Sequence, residues 1–229
     1  MIGLLGCALP VLVSIGGRLF YHVGVQGSIS AYYHTGMVDV FVGTLWVLGF
    51  FLIAYPGYDR CDNNASTLAG VCAIGVARFP TASDCPTELE QCLSHIHATF
   101  AAVFFLTMSC FALFQFTKSK ADQKWYLSPC ALWRDRTSGN QDKCDIAVYM
   151  VCGYVMLGCI LLMACFEKFK LFPNFGPFPR VFSLETILIE AFGISWLIKG
   201  EAIKTRALAT AFMSSASNFV SRWKSTRTG

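Results

Sequence analysis

The chain has 229 residues, 55% of them hydrophobic and only 14% charged, with 18 basic and 14 acidic side chains for a formal charge of +4. That is too little charge to solvate the surface of a soluble domain of this length. The composition excludes a water-soluble enzyme, and the apolar runs of roughly 15–23 residues between the charged stretches are long enough to cross a bilayer.

The first apolar run, Met1 to Gly17, has no basic leader and no clear small-residue cleavage site before Arg18. It reads as a retained helix. The second runs from Met37 to Ala54. The third, Ser66 to Ala77 (STLAGVCAIGVA), is short for a bilayer. Its Gly70, Ala73 and Gly75 would nevertheless let neighbouring helices approach closely, Arg78 can snorkel at its end, and Pro80 stops it. Spans from Ile96 to Phe116, Ile146 to Phe166 and Val181 to Ile198 follow. The expected fold is all-α: a polytopic six-transmembrane-helix bundle over residues 1–200, with short outer loops. The basic tail, 201–229, carries Ile203, Leu208, Phe212, Phe219 and Trp223 among its charges, a pattern that suggests a helix lying on the membrane surface. Trp46 and Trp196 fall within spans and are read as packing residues.

The charge is not spread evenly. Lys118, Lys120, Lys124, Arg134, Arg136 and Lys143 share one loop, and Lys204, Arg206, Arg222, Lys224 and Arg227 share the tail. The positive-inside rule makes both cytoplasmic, and six spans then put both termini there. Such basic segments point to membrane lipids as partners and not to nucleic acid. The rule serves five spans as well as six, so six rests on the packing features of the third.

In this topology all four histidines, His22, His34, His95 and His97, fall on the outer side. Asp39 opens span two at that depth, and Glu185 and Glu190 lie in the first half of span six. Ionisable groups inside spans are expensive and usually face a cavity or a partner. Three readings compete. His34, His95 and His97, with Asp39, would bind a metal such as zinc and activate water, although His95 and His97 point to different faces of a helix. Ser30 would be a nucleophile, with His34 one helical turn on as base and Asp39 or a glutamate as orienter. In the third reading, Ser30, His34, Asp39, His95, His97, Glu185 and Glu190 form a polar or ligand-binding cluster that orders the outer loops without chemistry. The stretch SISAYYHTGMVDVF (28–41) would then be a re-entrant or interfacial cap. Its serines would cap a short turn, and histidines would pair with the carboxylates of Asp39 and Glu185.

Eleven cysteines are present. About half lie in apolar runs, where a thiol packs as a small hydrophobe, and no CxxC pair occurs. Cys85 and Cys92 flank the acidic outer loop DCPTELEQC and are expected to form a disulfide on an oxidising face.

The SIS segment, DVFVGTLWVLGFFLIAYPGYD, GVARFPT, HIHATFAAVFF and ETILIEAFGISWLIKG, in this order from about Gly3 to Gly200, resemble the six-helix DRAM/Frag/Sfk-like membrane proteins and their uncharacterised bacterial relatives. The resemblance implies a shared scaffold and a link to lipid organisation, lipid-anchor remodelling or autophagy. Ser28, Ser30, Asp39, Pro80, His95, Glu185 and Trp196 match the family's polar signature, which assigns no catalytic role to them. Ser30-Ala-Tyr-Tyr-His34 followed by Asp39 is also similar to the first half of the zinc-binding site of ceramidase-like membrane hydrolases. The later His-x3-His pair of those seven-span enzymes has no counterpart, since no histidine follows His97. The function expected is an integral membrane protein that binds or organises a lipid, or another apolar or amphipathic ligand, through the outer polar cluster. The alternatives are a channel or transporter, and a structural subunit packed against protein partners in a larger membrane complex.

Overall fold

The computed structural model of the protein describes residues 1–57, 60–83, 85–117, 140–169 and 179–200. Most of the basic loop and the whole tail, with the surface helix expected there, lie outside these. Among the described residues the chain is all-helical and has no strand. Six helices form in the order of the six apolar runs: α1 (Ile2–Tyr21), α2 (Val38–Ile53), α3 (Arg60–Arg78), α4 (Glu88–Cys110), α5 (Asn140–Phe169) and α6 (Arg180–Gly200). A π-helical turn, Phe111–Gln115, extends α4, and a 3-10 turn, Ser30–His34, lies between α1 and α2.

Four of these helices are long and apolar enough to cross a membrane: α1, α4 with its π turn, α5 and α6. Helix α2 is equally apolar but shorter. Helix α3 begins at Arg60, ahead of its apolar run, because Asp62 in the first turn complements the helix dipole and Asn63 Oδ1 accepts the Gly57 N–H at 2.6 Å. Its 19 residues give it a length of about 28 Å, close to the thickness of a hydrocarbon core.

Successive helices run back and forth between two ends. At one end the loop after α1, the loop after α3 and the start of α6 meet: Phe182 N–H donates to Gly27 O (3.1 Å), and His34 Nε2 lies 2.7 Å from Thr81 O. We call this the cap end. At the opposite end, Tyr55 packs edge-on against Trp196 with centroids 5.0 Å apart, and Phe116 contacts both Trp196 and Tyr149. The start of α1 lies against Gly193 and Leu197 of α6, so both helices have their outermost ends on the side away from the cap.

The helices close on one another where the sequence supplies small residues. A Cβ on Gly49 of α2 would fall 2.9 Å from Gly70 O of α3, and one on Gly70 would fall 2.6 Å from Gly49 O. Gly3 and Gly193 make the equivalent crossing of α1 and α6, and Gly75 of α3 accommodates the Phe100 ring of α4. The small-residue face expected of the third span is therefore a packing face, with Ala69 and Ala73 fully buried. In lipid, where apolar surface gains little from burial, such close backbone approach is a main source of helix association.

The outward surface is apolar. Leu4, Leu12, Leu19 and Phe20 of α1, Phe50 of α2, and Val151 and Leu161 of α5 are all exposed. Exposed apolar surface over several helices is costly in water and ordinary in hydrocarbon. It fits a membrane-embedded protein. Trp196 is packed as expected, whereas Trp46 lies on this outer surface against Phe50.

One expectation is corrected. Cys85 and Cys92 are free, exposed thiols and not a disulfide. The reason is local. Thr87 and Glu90 form a capping box, with Glu90 Oε2 accepting the Thr87 N–H (2.8 Å) and Thr87 Oγ1 accepting the Glu90 N–H (3.3 Å). That box starts α4 at Glu88 and places Cys92 inside a regular helix, while Cys85 stays in the preceding loop.

Candidate functional site

The cap is built from residues 22–37. Helix α1 ends at His22, which takes the left-handed conformation (φ 54°, ψ 27°) more usual for glycine, and Val23 N–H closes on Gly17 O (3.0 Å). Ser28 Oγ then accepts the Ala31 N–H (3.0 Å) and lies 3.1 Å from Ser30 Oγ. The hydroxyls thus cap the turn. At its far side Thr35 Oγ1 donates to Tyr32 O (2.8 Å) and accepts the Met37 N–H (3.1 Å), leading the chain into α2. Ile29 and Tyr32 are buried and plug the end of the bundle. The Tyr32 hydroxyl lies by the Gln26 backbone without closing a hydrogen bond of normal geometry, and burial pushes its pKa up.

The turn is held from below by α6. Glu185 Oε2 accepts the Ile29 N–H at 2.5 Å, and the Ser30 N–H and hydroxyl face the same carboxylate. The first amides of any helical turn lack intrahelical acceptors. Here a side chain from a distant helix supplies the acceptor. Beneath the turn is a cavity of about 50 Å³, to which Ser30, Glu185 and His97 contribute the polar wall and Leu9, Phe41 and Phe104 part of the apolar one. Five of the six helices and the cap turn reach it.

The remaining candidates are dispersed. His97 is buried, with Nδ1 2.7 Å from Phe79 O, just past the end of α3. His34 is exposed and reaches Thr81 O, tying the cap to the α3–α4 loop. His95 is exposed, with Nδ1 2.7 Å from Gln91 O of its own helix. Asp39 is exposed on the first turn of α2. Glu190 lies deeper on α6, facing the Cys7 thiol of α1.

So Ser30, Glu185 and His97 come together, and His34, Asp39 and His95 do not join them. The pairing of histidine with carboxylate expected from the sequence is not formed, because backbone amides and the Ser30 hydroxyl occupy Glu185 and backbone carbonyls occupy the histidines. Ser30 and His34 do not meet either. In a 3-10 turn, residues three apart eclipse, so the fourth is rotated away, and His34 turns to Thr81. Among the described residues no three His, Cys, Asp or Glu side chains are grouped so that they could hold a metal ion. The hold of Glu185 on the cap turn, which latches the cap to α6, had no simple sequence signal, but the T-x-x-E of the capping box did, and it locates the start of α4.

A second feature has no signal in the sequence. Between α1 and the start of α2 a groove of about 570 Å³ opens on the outer surface near the cap. Its walls are apolar, and Leu12, Ile15, Leu19, Phe20, Met37 and Val40 form most of them. Gly16 keeps its floor low, since a Cβ there would fall 2.7 Å from Met37 Cε. Comparison of the chain with protein-family models, with curated proteins and with solved structures finds no match, and the resemblance to the DRAM/Frag/Sfk-like proteins stands on its motifs alone.

Proposed function

We propose that the protein is a six-span membrane protein that binds a membrane lipid at the cap end, with an acyl chain in the groove between α1 and α2. The groove carries this reading. Its volume is that of a small-ligand site, its walls are apolar, and it opens on the face where Leu12, Ile15, Leu19 and Phe20 are exposed. The ligand meant for such a surface comes from the bilayer. The latched cap holds the start of α2 against α1 and so fixes the groove's width. The cavity beneath the cap turn, of about 50 Å³, has room for only a few water molecules, which gives a transport path through it little support. Hydrolysis by Ser30 also has less support, because its hydroxyl faces a carboxylate and not an imidazole.

The test is lipid retention. The protein purified in mild detergent should carry bound lipid visible by native mass spectrometry. Leu12→Trp, which fills the groove from an exposed position, should lower the occupancy several-fold without unfolding the bundle. Wild-type protein that carries no lipid, or equal occupancy in Leu12→Trp, would refute the proposal.

A further inference from the structure

Helix α6 carries an ionisable side chain, Glu190, at its centre. The helix is 21 residues long, so Glu190 lies about 15 Å from either end, at the middle of a hydrocarbon core. The exposed residues show which face it occupies. Ile187, Ile194 and Leu197 are exposed, and Glu190 stands three residues after the first and four before the second. That spacing places all four on one stripe of the helix, and Glu190 is itself only half-buried. Across the seam it faces the Cys7 thiol of α1, with Leu4 exposed one turn earlier. The carboxylate therefore stands on the outward side of the α1–α6 seam.

Acidic groups at mid-depth are costly, and they pair with a partner or face a cavity. Neither the groove between α1 and α2 nor the cavity beneath the cap turn includes Glu190. A thiol is a weak donor, and a carboxylate has room for several more hydrogen bonds. The chain has no cation to offer at this depth. Every lysine and arginine in the six helices falls in a first or last turn, and the histidines of α4 lie towards its cap end, with Nδ1 on backbone carbonyls. A second copy of the chain would thus bring no countercharge, and a wholly apolar helix would bury the carboxylate unpaired. A helix with a lysine or arginine at mid-depth supplies what is missing, through charge-assisted hydrogen bonds that a low dielectric strengthens. We infer that the α1–α6 seam docks a transmembrane helix of another protein, whose mid-depth basic residue pairs with Glu190 while Ile187, Ile194 and Leu197 give the helix an apolar seat.

The probe is a polyleucine transmembrane peptide with one central lysine, reconstituted with the full-length protein in phosphatidylcholine vesicles. A photoreactive benzoylphenylalanine at position 194 reports its arrival by crosslinking. Half-maximal crosslinking should need about tenfold less of this peptide than of one with leucine at the centre, the range of an interhelical hydrogen bond between simple transmembrane peptides. A peptide with its lysine two turns from the centre should behave like the leucine peptide. Glu190→Gln should abolish the difference, and Glu190→Asp, which keeps the charge, should retain most of it. The midpoint of thermal unfolding in detergent checks that both variants keep the bundle. The same photoreactive group at position 47, on the outward face of α2, should crosslink neither peptide well. Equal crosslinking of the lysine and leucine peptides to the wild-type protein overturns the proposal, as does an unchanged preference in Glu190→Gln. A crosslink at position 194 between two copies of the chain, formed without peptide, gives the seam to self-association and overturns it too.

Discussion

Glu185 does for the cap turn what a capping residue does for an ordinary helix, from a position 156 residues away. A hydrogen bond contributes about 0.5–1.5 kcal/mol net, and a buried amide left without an acceptor costs about 1–3 kcal/mol. Glu185→Ala should therefore destabilise the protein by roughly 2 kcal/mol and speed amide exchange at Ile29 and Ser30. Glu185→Gln, which keeps an acceptor oxygen, should recover much of the loss. Hydrogen exchange read by mass spectrometry over residues 24–36 is the direct measurement. Unchanged exchange in Glu185→Ala would mean that Ile29 and Tyr32 hold the cap by packing alone. The serines of this segment were legible as capping residues, because their preference for local backbone bonds is intrinsic. The partner of Glu185 was not, because a carboxylate in a helix announces a need for a donor without naming it.

Between elements, the glycine crossings carry the packing. Gly49 and Gly70 join α2 to α3, and Gly3 and Gly193 join α1 to α6. In each pair the atoms that a new Cβ would meet include backbone oxygens, which cannot swing away. Gly49→Val should thus cost about 1–3 kcal/mol through overpacking, measured as a lower midpoint of thermal unfolding in detergent. Gly43 and Gly158 are helical as well, but a Cβ at either meets nothing within 4 Å. Gly43→Ala and Gly158→Ala should be neutral or stabilising by up to about 1 kcal/mol. Equal losses at packed and open positions would show that helix propensity, and not close approach, sets the cost. The same logic explains why α3 belongs to the bundle in spite of its polar start. It is gripped on two sides, by α2 at Gly70 and by α4 at Gly75.

For the whole molecule, orientation is tested by three native thiols. Cys85 and Cys92 are exposed at the cap end, and Cys61 is exposed in the first turn of α3 at the opposite end. With the cap outside and the basic loop and tail in the cytoplasm, an impermeant maleimide added to intact cells should label Cys85 and Cys92. Cys61 should react only after permeabilisation. Labelling in the reverse pattern would invert the topology and move the cap, with the groove beside it, to the cytoplasmic side. Labelling of all three before permeabilisation would remove α3 from the set of spanning helices.

Periodicity and composition by themselves determined that the chain is a bundle of six helices, and in which order. An apolar run long enough to cross hydrocarbon has to satisfy its own backbone, and a helix does so without reference to any neighbour. They also located α2 and α6 within a few residues, and the small-residue face of α3. Only the tertiary structure decided which polar groups meet. His34 and His97 satisfy their rings on carbonyls of Thr81 and Phe79 beyond the end of α3, His95 bonds back to Gln91 O of its own helix, and Glu185 takes an amide of the cap turn, because backbone groups of the loops and of the first turn lack intrahelical partners and are already in place. The groove was hidden for a related reason. Leu12, Leu19 and Val40 look like any lipid-facing residues in the sequence, and a concavity exists only once Gly16 and the latched cap fix α1 and α2 at their observed separation.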